Sequence, residues 1–127
     1  MKAKAKQQAL PKGIDSRYEA RYLKVLEDKK YLGHVRSFYL KPGSFRLGSG
    51  CHYEPDFLVI SADGTVEYHE VKGATRFAAK SMTKIKAAAH QYPDLRFVLC
   101  FGKPVKRKNP LSKNITSDIE FEYKEIQ

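Results

Sequence analysis

Tyr53-Glu54-Pro55-Asp56-Phe57-Leu58-Val59-Ile60, the turn Ala62-Asp63-Gly64, and Val66-Glu67-Tyr68-His69-Glu70-Val71-Lys72-Gly73 decide the fold. Both long segments are rich in β-branched and aromatic residues and are separated by turn residues. This predicts two antiparallel strands, Tyr53 to Ile60 and Val66 to Lys72. A three-residue turn with Gly64 in the left-handed position pairs Ser61 with Thr65 and Ile60 with Val66. Counting back, Asp56 falls opposite Glu70 and Glu54 opposite Lys72, and the period of two puts all four on one face. A two-residue Asp63-Gly64 turn would instead set Val71 opposite Asp56.

Directly opposed residues have Cβ atoms about 4.5–5.5 Å apart, and like charges there destabilise a sheet. A divalent cation removes that cost. Hard carboxylate oxygens favour Mg²⁺, with Mn²⁺ as a substitute. Lys72 adds a positive charge on the same face, suited to orient a water or to stabilise charge building on a phosphate. Glu-x-Lys alone reads as an exposed ion pair, and Pro-Asp alone reads as a turn. It is the two together, flanking a hairpin, that point to chemistry.

Outward from the hairpin, Asp15 to Lys30 is a predicted helix with Ser16 at the N-cap and Glu19 as its capping-box partner. Tyr22, Leu23 and Leu26 form its apolar face, with Glu19 one turn before them, and Gly33 ends it. His34 to Leu40 is a predicted strand broken by Pro42-Gly43, resuming over Phe45 to Leu47. Gly48-Ser49-Gly50 is a loop. Arg76 to Gln91 is a second helix, with Ala78, Met82, Ile85 and Ala89 as core and Arg76, Lys80 and Lys84 as a basic stripe. Leu95 to Phe101 is a nearly continuous apolar strand, as a buried one should be. Gly102 to Asn114 reads as a basic loop, and Ile119 to Tyr123 alternates as an edge strand. The order predicts an α/β sandwich with one mixed sheet.

The chain has 127 residues, suiting one domain (14–127) behind a flexible Lys-rich arm (1–13). Its 24 Lys and Arg against 14 Asp and Glu leave a net charge of +10, which favours a polyanionic partner. Two cysteines, Cys51 and Cys100, make no secreted disulfide framework, and no Cys/His cluster has zinc spacing. They read as a loop thiol and a core filler. The basic N-terminus lacks the apolar core of a signal peptide, and no apolar run reaches membrane-spanning length. A reduced, cytoplasmic protein is expected. His52 shares the parity of Asp56 and reaches the site's rim if the strand extends that far; otherwise it is a loop histidine. His69 points to the other face and reads as structural.

Pro-Asp, a short hairpin, Glu-x-Lys and an upstream helical Glu resemble the PD-(D/E)XK nuclease superfamily. The predicted order is similar to that superfamily's αβββαβ restriction-endonuclease-like core, a mixed central sheet flanked by helices. Ser16-x-x-Glu19, Pro55-Asp56-Phe57 and Glu70-Val71-Lys72-Gly73 further resemble small phage and prophage endonucleases of Holliday-junction-resolvase type. The resemblance spans residues 16–101. It implies an Mg²⁺-dependent endodeoxyribonuclease with Asp56 and Glu70 as metal ligands, the Val71 carbonyl completing the shell, and Lys72 as catalytic lysine. Glu19 matches the helical glutamate that helps hold a metal or its water. It is equally a cap, and a cap fixes a ligand's rotamer.

Arg76, Lys80 and Lys84, with Lys106, Arg107 and Lys108, are the expected contacts to backbone phosphates. For Lys80 and Lys84 the alternative is a solvated helix face. Nothing reads base edges, so structure-selective cutting of branched DNA is expected, with a homodimer making paired incisions. The chain lacks the Gln-x-x-x-Tyr extension of the RecB-like branch. The rival expectations are a nuclease of other substrate choice (nicking, restriction-like or RNA) and a non-catalytic basic nucleic-acid-binding protein that keeps the fold.

Overall fold

The hairpin forms in the three-residue register. Ser61 N–H donates to Thr65 O at 2.9 Å and Gly64 N–H to Ser61 O at 2.9 Å. Gly64 sits at φ +90°, a conformation that costs glycine little. The pairs Ile60↔Val66, Val59↔Glu67, Leu58↔Tyr68 and Phe57↔His69 follow. In this computed structural model the described residues are 10, 12–14, 16–73 and 78–127, with side chains 78–81 excepted. Most of the predicted basic arm, Asp15 and Arg76 lie outside them.

The order is α1 (Arg17–Tyr31), β1 (Val35–Leu40), β2 (Phe45–Gly48), β3 (Cys51–Tyr53), β4 (Phe57–Ser61), β5 (Val66–Lys72), α2 (Ala78–Gln91), β6 (Phe97–Lys108) and β7 (Ile115–Ile126). Five strands make one mixed sheet in the order β1-β4-β5-β6-β7, and β2 and β3 form a separate ribbon. Among the described residues only β5 and β6 pair in parallel, with α2 as the crossover between them.

Three expectations need correction. Tyr53 to Ile60 is not one strand: Tyr53 ends the ribbon, and β4 begins at Phe57. Pro55 has no N–H for a ladder, so Glu54-Pro55-Asp56 is a crossing between sheets rather than a strand interior. Glu54 therefore does not face Lys72 across the hairpin. Phe45 to Leu47 does not resume β1 but pairs with β3. Gly102 to Lys108 is not a loop. It continues β6 along β7, where Lys103 meets Glu122 at 2.7 Å and Arg107 meets Glu120 at 2.6 Å. These acidic partners lie far ahead in the chain, so a local reading sees only a basic run.

Each sheet face buries one helix. Tyr22 and Leu26 of α1 pack with Val35, Phe57, Val59, Val71, Val98 and Cys100. On the other face Ile85, Ala88 and Ala89 of α2 pack with Tyr53, Phe97, Leu99 and Ile126. Among the described residues no helix is long and apolar enough to cross a membrane. Ser16 caps α1 by accepting the Glu19 N–H at 3.1 Å.

The start of α1 is seated by two glycines. The Tyr18 ring lies over Gly73 and Gly102, close enough that a Cβ at either would collide with it. Because Tyr18 precedes Glu19, this contact also sets where Glu19 points. Gly102→Val is expected to cost about 1–3 kcal/mol by overpacking, or a fall in Tm of about 4 °C per kcal/mol for this size. Thermal denaturation checks it, with Tyr18→Ala alone and combined. A combined loss equal to the sum of the singles would refute the contact, since contacting residues do not add.

Candidate active site

Asp56 is held by its backbone on both sides. Its N–H donates to His69 O at 3.1 Å, and its C=O accepts from the Lys41 N–H at 2.9 Å. The crossing residue is thus pinned between the end of β1 and β5. Its carboxylate is buried, with Oδ2 accepting the Val71 N–H at 2.8 Å. From Val71 the described contact is therefore an N–H to Asp56; the resemblance implied its carbonyl. Glu70, one position before Val71 on β5, is buried beside Asp56. Lys72 Nζ stands 3.8 Å from Glu70 Oε1, an ion pair too long for a hydrogen bond.

Glu19 reaches the same place from α1. Lys41 Nζ bridges the two elements, donating to Glu19 Oε1 at 3.2 Å and to Asp56 Oδ1 at 3.1 Å. Lys41 was not among the residues picked from sequence. It sits at φ +48°, which is uncommon for a residue other than glycine; such strain concentrates at functional sites. A lysine before Pro42-Gly43 carries no motif, so its role emerges only when β1 ends beside Asp56.

The electrostatics follow from burial. Glu70 is pushed up to about 8, first by desolvation and then by the Asp56 charge. Glu19 is also raised, by desolvation and then by Asp56. Among the described residues, three carboxylates (Glu19, Asp56, Glu70) meet two ammonium groups (Lys41, Lys72). The buried hydroxyl of Tyr53, likewise missed from sequence, lies beside Glu70 yet makes no hydrogen bond of regular geometry among the described residues.

Among the described residues no three acidic, imidazole or thiol groups already stand in the geometry of a cation site. What fits a hard divalent cation is the chemistry of the donors: two adjacent buried carboxylates, a third tied to them by an ammonium, and an unsatisfied hydroxyl.

A cleft of about 350 Å³ opens over Glu70, lined by Ser44, His52, Tyr53, Glu54, Glu70 and Lys84. It gathers Lys84 and His52, which reaches the rim from β3 although the strand does not run on to Asp56. Arg76 and the Lys80 side chain lie outside the described residues. Lys106, Arg107 and Lys108 stand on the exposed outer half of β6, where Arg107 is committed to Asp118 at 3.3 Å and Glu120 at 2.6 Å. His69 lies on the opposite face of the sheet. Tyr22 Oη donates to its Nδ1 at 2.6 Å and its Nε2 donates to Glu67 Oε1 at 3.0 Å, the direction that an ionised Glu67 demands. Burial pushes the Cys100 thiol up to about 12, consistent with a core filler.

Over residues 2–108 the chain matches the family described as Protein of unknown function (DUF1064), and it belongs to that family. Neither the curated proteins nor the solved structures match it.

A pH dependence follows from Glu70. Its folded carboxyl titrates near 8 against an ordinary 4.5, so between these values the folded chain holds the extra proton. The stability that Glu70 contributes is complete below about 4.5 and lost as pH rises through about 8. In EDTA, the Tm of Glu70→Gln minus that of the natural chain should therefore climb from pH 5 to 8, by more than about 4 °C. A difference that stays level with pH would mean that Glu70 titrates as an exposed carboxylate does.

Proposed function

We propose that this DUF1064 member is a divalent-metal-dependent DNA endonuclease, selective for branched DNA, built on an αβββαβ core of restriction-endonuclease type. The observation that carries the reading is the buried pair Asp56 and Glu70, side by side at the end of the hairpin, with Lys72 on the strand of Glu70 and Glu19 drawn in by Lys41. Repulsion between buried carboxylates costs stability, and a cation-dependent reaction is the economical reason for keeping it. The path α1-β1-β4-β5-α2-β6, with β6 parallel to β5, supports the core assignment. The net charge of +10 supports a polyanionic substrate.

Asp56 and Glu70 would hold Mg²⁺ or Mn²⁺, with Glu19 as a further oxygen donor. When bound, the ion supplies charge neutralisation at the phosphate and a more acidic water. The rest is done by the chain. Val71 N–H and Lys41 Nζ fix the rotamer of Asp56, so its position does not depend on the cation alone. The Lys72 ammonium is placed to orient the attacking water or to meet the growing charge on a phosphate oxygen. The water oxygen bonds to phosphorus, one P–O ester bond breaks, and a proton passes to the leaving oxygen. Lys84, across the cleft from Glu70, is placed to contact a backbone phosphate.

A labelled four-way junction and a matched linear duplex test this, each with Mg²⁺ and with EDTA. The natural chain should cut in Mg²⁺ only and favour the junction. Asp56→Asn and Lys72→Ala should each lower the rate about 100-fold or more. Salt-sensitive binding with no cutting in Mg²⁺ or Mn²⁺ would instead identify a non-catalytic nucleic-acid-binding protein.

Lys41→Met gives an independent check. Removing the bridge takes away the ammonium that Glu19 and Asp56 share, which in EDTA should cost about 2 kcal/mol or more in urea denaturation. Mg²⁺ should recover part of that loss. Equal losses with and without Mg²⁺ would count against a cation at these carboxylates.

A further inference from the structure

The outer half of the β6–β7 ribbon continues beyond the last pair of β5 with β6, and α1 touches it through Arg21, which meets Asp118 at 2.7 Å. Phe101 pairs with Lys72, and β6 continues seven residues further to Lys108, about 23 Å at ~3.3 Å per residue. The two faces of this extension differ in charge. On one, Lys103 meets Glu122 at 2.7 Å, and Arg107 meets Asp118 at 3.3 Å and Glu120 at 2.6 Å, so the cations are neutralised internally. On the other, the opposed pairs are Pro104↔Ile119, Lys106↔Ser117 and Lys108↔Ile115, with no acidic residue among them. Lys106 and Lys108 are exposed and have no ion-pair partner among the described residues.

The turn at the end is ordered by its own hydrogen bonds. Asn109 Oδ1 accepts from Leu111 N–H at 2.8 Å and Ser112 N–H at 3.3 Å, and Asn109 O accepts from Lys113 N–H at 2.8 Å. It presents Leu111 94% exposed, next to Ile115 at 67%. A leucine held at the tip of a self-bonded turn, flanked by unneutralised lysines, combines an apolar end with a polycationic flank.

We infer that this ribbon is a groove-binding arm for duplex nucleic acid, with Lys106 and Lys108 on backbone phosphates and Leu111 as a wedge against a base step. A two-stranded ribbon fits a major groove about 12 Å wide. Apolar wedges unstack base steps, and unstacking costs least where a base is already unpaired. The tip is thus suited to the branch point of a branched duplex, while the lysines grip any duplex. The charge asymmetry of the ribbon argues for a polyanion as occupant rather than a protein surface. The inference rests on the nucleic-acid partner proposed above but not on cutting.

Fluorescence anisotropy with a labelled four-way junction and a linear duplex tests it, in EDTA and again with Ca²⁺, between about 50 and about 200 mM salt. Lys106→Ala with Lys108→Ala should weaken both substrates alike. It should also reduce the slope of log K against log salt by about 1.8, at about 0.9 per phosphate contact. Leu111→Ser should leave linear binding and the slope unchanged but lower the junction-to-linear ratio about tenfold, the weight of one good base contact. Leu111→Met should keep the ratio. An unchanged slope in the lysine variant, or an unchanged ratio in Leu111→Ser, would overturn the arm while leaving the nuclease reading to the cleavage assay. Binding to neither DNA by the natural chain would overturn both. A Leu111→Ser change confined to sedimentation, with DNA binding intact, would reassign the tip to self-association and overturn the wedge.

Discussion

Two carboxylates that the backbone forces together are the constraint on which the rest of this structure depends. Asp56 cannot move away from Glu70. Its N–H is bound to β5, its C=O to Lys41, and its Oδ2 to the Val71 N–H. The chain meets the resulting repulsion with ammonium groups from two directions, Lys41 from the end of β1 and Lys72 from β5. Burial of these acids, and then the charge of Asp56, appears as the raised titration of Glu70 and Glu19. Preorganised charge of this kind is what a site needs if it is to act on a charged substrate without rearranging first.

The scaffold around that constraint is rigid where the site needs rigidity. The parallel pair β5–β6 is buried over Phe97 to Cys100, and the tip of β5 that carries Glu70 and Lys72 lies against it. On the α1 face, the Tyr22–His69–Glu67 chain satisfies the polar groups beneath the site and locks the ring of His69. The seat of Tyr18 on Gly73 and Gly102 sets the height of α1 and so of Glu19. The cleft side is looser in build: a short ribbon, with Tyr53 at its end, carries Ser44 and His52 at the rim.

Charge is distributed unevenly, and that matters more than its sum. Arg107 and Lys103 contribute to the net +10 but stand beside acidic partners on β7. Cross-strand ion pairs among exposed side chains are worth little each, but a ladder of them keeps a protruding ribbon straight. Lys84 lines the cleft, and Lys106 and Lys108 lie on the ribbon face whose opposed residues carry no acid.

The sequence by itself determined what depends on neighbours along the chain. Gly64 made the three-residue turn and the turn set the register as far as Phe57↔His69, because strand parity cannot slip without exposing Phe57 and Val59; Asp56, just before β4, is then brought beside Glu70 by its bonds to His69 O and Val71 N–H. The Ser16 cap and the apolar stripes of both helices were legible for the same reason. Only the tertiary structure decided what depends on distant partners. The break at Pro55 looked like strand interior until β2 was there to claim Tyr53. The run Gly102 to Lys108 looked like a loop until the acids of β7 lay beside it. Lys41, with no motif around it, became part of the site because α1 and β4 converge on the end of β1, where a single flexible ammonium can reach both carboxylates. Periodicity and turn chemistry are local, whereas ion pairs and burial belong to the assembled fold.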